Sequence, residues 1–89
     1  MARTNPPSRS HNQALGYVVA ELRRQAGKSQ ELLGFEAGLD RSYISLLERG
    51  LRSPTIDSLF ALCPVLGLSV SQLLILTERK LEEMDARPH

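Results

Sequence analysis

The chain of 89 residues has no tryptophan, and aromatic residues make up only 4% of it. Aromatic side chains bring large buried areas, so any core here is built from aliphatic residues instead. Cysteine occurs once, at Cys63. One cysteine excludes an intrachain disulfide and a thiolate metal cluster. Cys63 sits among Leu59, Leu62 and Leu66 at helical spacing, which predicts a buried structural thiol. The two histidines, His11 and His89, stand at opposite ends. Neither has a partner at ligand spacing, so neither a metal nor any other cofactor is expected. Strand patterns are almost missing: no run alternates apolar and polar residues with β-branched side chains. The longest uncharged apolar stretch, Leu59 to Val70, is interrupted by Pro64 and Gly67 and is too short to span a bilayer. The N-terminus, with Asn5, Pro6 and Pro7, lacks the apolar segment of a signal peptide. Together these features predict a cytoplasmic protein with no membrane partner. An enzyme needs converging acid–base or nucleophilic groups. The histidines are too far apart in sequence, the thiol is apolar in context and the serines read as helix caps. No catalytic residue is expected.

What remains is a leucine-rich chain with 42% apolar residues, enough for one small helical domain. Residues 1 to about 10 are rich in Pro, Ser, Asn and Arg and read as a disordered leader. A first helix is expected from about Asn12 to Gln25, with Leu15, Val19 and Leu22 on its buried stripe, and Gly27 ending it. Ser29 caps a second helix, Gln30 to Ala37, which buries Leu33 and Ala37. Gly34 inside it costs about 1 kcal/mol against Ala, a cost that close approach of another helix offsets. Gly38 turns the chain. Asp40 is expected to cap a third helix, Arg41 to Arg49, with Ile44 and Leu47 inward. Thr55 caps a fourth, Ile56 to Leu66, burying Ile56, Leu59, Leu62, Cys63 and Leu66. Pro64 predicts a kink or an early end there. Ser69 and Gln72 form a capping box for a fifth helix, whose apolar positions are Val70, Leu73, Leu74, Ile75, Leu76 and Leu81. The charged tail, residues 77–89, is expected to extend that helix before fraying at Pro88.

Charge is unevenly distributed. Through Pro54 there are eight Arg or Lys and five acids; from Thr55 onward there are three and five. The basic half contains the second and third helices. Each is too short to stand alone, and the outer side of the third is polar apart from Leu46. A paired short helix with such a face suits the major groove of DNA.

With the elements placed, residues 15–74 resemble the Cro/C1-type, or Xre-like, helix-turn-helix family. The resemblance is carried by Leu22-Arg23-Arg24, Ser29-Gln30-Glu31, Ala37-Gly38-Leu39, Arg41-Ser42-Tyr43-Ile44-Ser45, Glu48-Arg49-Gly50, Pro54-Thr55 and Leu66-Gly67-Leu68-Ser69, all in register. The segment Asp40 to Ser45 is also similar to the small controller proteins of restriction–modification systems. The family implies an all-α fold: a compact five-helix, lambda-repressor-like domain over residues 11–76, with the helix-turn-helix at its second and third helices. It implies a sequence-specific regulator of transcription, bound to double-stranded DNA as a homodimer on a two-fold related operator. Base reading then falls to Arg41, Ser42, Ser45 and Leu46. Phosphate contact falls to Gln30, Tyr43, Arg49 and Arg52. Gln30 either touches phosphate or braces the first residue of the third helix. Leu46 either meets a thymine methyl or covers Tyr43. The family further implies an internal ion pair between Arg23 and Glu48. Val70, Leu73 and Leu74 are expected at the dimer interface. The alternative is an antitoxin-like interaction module, whose acidic C-terminal half, from Glu78 to Asp85, binds a protein partner while DNA binding is autoregulatory.

Overall fold

The computed structural model describes residues 10–86, and these form five helices and no strand. They are α1 (Ser10–Gln25), α2 (Gln30–Ala37), α3 (Arg41–Glu48), α4 (Ile56–Leu66) and α5 (Val70–Asp85). Helix starts follow the expected cap chemistry at three places. Ser29 accepts from the Leu32 amide, Thr55 from that of Ser58, and Ser69 from that of Gln72. At Ser69 the box is reciprocal, because the Gln72 side chain accepts from the Ser69 amide at 2.8 Å. Asp40 is the exception. It occupies the N-cap position with extended backbone, but its carboxylate makes no capping bond. Its carbonyl alone starts the α3 ladder, accepting from the Ile44 amide at 3.1 Å.

The α2–α3 turn depends on two glycines. Gly38 has φ of 71°, in the left-handed region that side chains disfavour. Gly34 faces the turn itself: a Cβ there would lie 2.5 Å from the Leu39 carbonyl oxygen. The close approach is therefore made by the returning chain and not by another helix body. A third glycine, Gly16, lets α1 cross α3. A Cβ on it would collide with the carbonyl oxygens of Leu47 and Glu48.

Helix α1 packs along α5 and across α3, α2 packs on α3 and α4, and α4 closes against α5. Leu33, Ile44, Leu47, Leu62, Leu73 and Val19 are fully enclosed between them. Each contributes about 1.5–3 kcal/mol relative to exposure. Ile56, expected inside, is 66% exposed. As the first residue of α4 it projects beyond the core, and the inward position of that turn is taken by Ser58. Helix α4 runs to Leu66 as its pattern predicted, two residues beyond Pro64, so of the two effects expected there the early end does not occur. Pro64 and Phe60, whose carbonyl it deprives of a partner, both lie on the exposed face, where water can replace the lost bond. The charged segment from Thr77 to Asp85 is part of α5 and packs on α1: the Lys80 ammonium lies 3.8 Å from the centre of the Tyr17 ring. No single helix among the described residues is long and apolar enough to cross a membrane. The leader, with Arg3 and Arg9, and the terminal Pro88 and His89 lie outside the described residues.

Candidate nucleic-acid interface

Helix α3 divides its residues cleanly. Ile44 and Leu47 are wholly buried, anchoring it to the core. Arg41, Ser42, Ser45, Leu46 and Arg49 line one shallow surface groove. These are the i, i+4 and i+1, i+5, i+8 positions of one helix face. Arg41, Ser42 and Arg49 are exposed, while Ser45 and Leu46 are half-buried. The groove thus brings together all four residues expected to read bases, and one expected at phosphate. A guanidinium at the first residue of such a helix can take guanine O6 and N7 together. Arg49 folds back on its own helix through an exposed 3.3 Å bond from Nε to the Ser45 carbonyl. Water or phosphate can replace that bond at little cost.

Below the groove, Arg23 and Glu48 join α1 to α3. Arg23 Nε donates to Glu48 Oε2 at 2.7 Å and NH2 donates to Oε1 at 3.0 Å. The side chains are 11% and 5% exposed. Arg23 NH1 also donates to the Lys28 carbonyl at 2.8 Å. The bond to Glu48 holds the Arg23 guanidinium above its ordinary pKa, against the opposing effect of burial. Gln30 belongs to the same network. Its Nε2 donates to Glu48 Oε1 at 3.0 Å, so it braces the last residue of α3 and not the first. Its second amide hydrogen is not used by that bond. Lys28, on the connector, pairs with Glu36 at 2.6 Å.

The Tyr43 hydroxyl, expected at a phosphate, has a partner inside the protein. It lies 2.8 Å from Ser58 Oγ. Ser58 Oγ donates to the Thr55 carbonyl at 2.9 Å and accepts from Thr55 Oγ1 at 3.1 Å. Since a serine hydroxyl has one proton, Tyr43 is the donor to Ser58. Its own proton is then engaged inside the protein, and a phosphate would meet only its lone pairs. The ring faces Arg52, whose guanidinium carbon lies 5.8 Å from the ring centre. Sequence reasoning did not single out Ser58. The available signal was a serine at an inward position of α4, beside Leu59.

The expected dimer residues separate. Leu73 is fully enclosed in the monomer core and cannot reach a second subunit. It belongs to the same core cluster as Leu15, Leu59 and Leu62. Val70 is half-buried, and the outward apolar side chains are Leu74 and Ile75, 42% and 47% exposed. Cys63 is buried, and desolvation pushes its thiol pKa up. Among the described residues no group of His, Cys, Asp or Glu is placed to hold a metal ion.

Comparison with known proteins places this geometry. The helix-turn-helix family profile matches residues 19–73, from the middle of α1 into α5. An uncharacterised helix-turn-helix-type transcriptional regulator of Sinorhizobium fredii, y4dJ, is 39% identical over 64 residues, which cover 72% of this chain and 83% of that protein. Among solved structures, the clp gene regulator ClgR from Corynebacterium glutamicum superposes with a TM-score of 0.82 at 27% identity, over 92% of this chain and 85% of that one. The restriction–modification controller protein C.Esp1396I, solved as a tetramer with its natural operator of 35 base pairs, superposes with a TM-score of 0.72 at 29% identity, over 81% of this chain and 95% of that one. Residues 19–73 include both helices of the α2–α3 pair and the groove of α3. The chain belongs to the Cro/C1-type helix-turn-helix family of DNA-binding transcription regulators.

Proposed function

We propose that the protein is a sequence-specific regulator that binds double-stranded DNA as a homodimer, in the cytoplasm, with α3 in the major groove. The observation that carries this reading is the joint outward placement of Arg41, Ser42, Ser45, Leu46 and Arg49 along one groove, above a buried strut of Ile44 and Leu47. Arg41 reads a guanine. Ser42 and Ser45 bond base edges, and Leu46 meets a thymine methyl. Arg49 and Arg52 contact phosphates and fix the register without reading sequence. The first amides of α2, beside Gln30, add a phosphate site at the positive end of the helix dipole.

Eight residues of reading helix make few base contacts, so two half-sites about one helical turn apart supply the missing affinity. The exposed Leu74 and Ile75 on α5, beside the half-buried Val70, support subunit pairing through that helix. The operator complex of the similar controller protein supports the DNA partner and an oligomer. No catalytic role and no cofactor is proposed.

The test is selection of bound duplexes from a random pool. Enrichment of a two-fold symmetric sequence with half-sites about one turn apart is the expected result. A pool that stays random after repeated rounds would refute sequence-specific binding.

A further inference from the structure

The loop after α3 is pinned on either side of Arg52. The Leu51 amide donates to the Leu46 carbonyl at 3.0 Å, and Ser53 Oγ donates to Asn12 Oδ1 at 3.1 Å. The Arg52 side chain is itself exposed, and its guanidinium stands over the Tyr43 ring. That ring is fixed at its far end by the hydroxyl bond to Ser58. Ser58 is in turn held by the Thr55 carbonyl and hydroxyl at the start of α4. Two hydrogen bonds therefore tie the Tyr43 hydroxyl to the α4 cap through Ser58, and the Arg52 guanidinium stands over the ring at 5.8 Å from its centre.

We infer that Tyr43 is a positioning residue for DNA binding. Its ring, anchored by Ser58, holds the Arg52 guanidinium ready to meet a phosphate. A long cationic side chain loses rotamer freedom when binding immobilises it, and that loss weakens binding. A cation over an aromatic face has part of that ordering done beforehand. Tyr43 thereby strengthens binding without touching the duplex, and Ser58 does so one step further back. This rests on the DNA-binding reading above.

The experiment is a salt titration of binding to a fluorescein-labelled duplex carrying the selected operator. The proteins are the wild-type chain, Arg52→Gln, Tyr43→Leu, Tyr43→Phe and Ser58→Ala, with the last three also combined with Arg52→Gln. Arg52→Gln should weaken binding and flatten the slope of log affinity against log salt by about 0.9, one phosphate contact. Tyr43→Leu should weaken binding roughly twofold to tenfold and move the slope toward that of Arg52→Gln. In the Arg52→Gln background it should change neither quantity. Tyr43→Phe and Ser58→Ala keep the ring. They should show smaller losses that also vanish when Arg52 is gone, which keeps the test alive if Tyr43→Leu fails to fold.

If the losses from Tyr43 and Arg52 multiply, Tyr43 acts independently and the inference fails. It also fails if Arg52→Gln leaves affinity and slope unchanged while Arg41→Ala abolishes operator preference. That outcome leaves the DNA-binding reading standing. A wild-type protein that binds no duplex overturns that reading and the inference with it.

Discussion

Replacing Glu48 by Ala removes the acceptor for Arg23 Nε and NH2 and for Gln30 Nε2 together. The arginine left behind is 11% exposed and, among the described residues, keeps the Lys28 carbonyl as its remaining side-chain partner. An uncompensated buried charge of this kind costs ~3–5 kcal/mol, out of a total stability of ~5–15 kcal/mol for a small domain. At ~4 °C per kcal/mol, the low end for a domain near 100 residues, the Tm should fall by about 12 °C or more. Glu31 is the control. It is exposed in the first turn of α2, where a carboxylate adds only ~0.3–1 kcal/mol through the helix dipole. Thermal melts followed by circular dichroism at neutral pH compare Glu48→Ala with Glu31→Ala. A third protein, Arg23→Met with Glu48→Leu, removes both charges and should recover much of the loss, because apolar replacements of buried pairs are often neutral. Melting temperatures for Glu48→Ala and Glu31→Ala within about 1 °C of each other would refute this account of the junction between α1 and α3.

Other expectations follow from single features. Gly16→Ala should destabilise by about 1–3 kcal/mol despite the better helix propensity of Ala, since the new methyl meets the carbonyls of Leu47 and Glu48; a denaturant titration showing unchanged or raised stability would count against that crossing. Asp40→Ala should cost less than Ser69→Ala in the same assay, because Ser69 has both halves of a capping box and Asp40 makes no cap bond; the reverse order would contradict the cap assignment. Cys63 should resist iodoacetamide in the folded protein and react once denaturant is added, as its thiol is buried with a raised pKa. Rapid native labelling at neutral pH would mean that α4 opens.

The element boundaries were legible because they are set locally. Ser29, Thr55 and Ser69 each supply an oxygen to an amide three residues on, and Gly38 and Gly67 supply the left-handed turn. The outward row on α3 was legible because Ile44 and Leu47 fix which side faces the core. What stayed hidden depends on how elements meet. Ile56 and Leu73 have the same apolar character, yet one projects into solvent and the other is enclosed. Spacing along one helix cannot say where a neighbour ends. The same limit applies to Tyr43, whose hydroxyl partner lies 15 residues away on α4, and to Gln30, whose partner lies 18 residues away. The Arg23–Glu48 pair, 25 residues apart, was expected only through family resemblance.

On the proposed function, Arg41 and its neighbours on α3 read base edges. Each guanine of the selected operator can be replaced, one at a time, by 7-deazaguanine, which lacks the N7 acceptor. Binding by the wild-type chain should drop at one symmetry-related position in each half-site, and Arg41→Ala should be insensitive to the replacement there. Equal sensitivity of wild-type and Arg41→Ala at every guanine would contradict it.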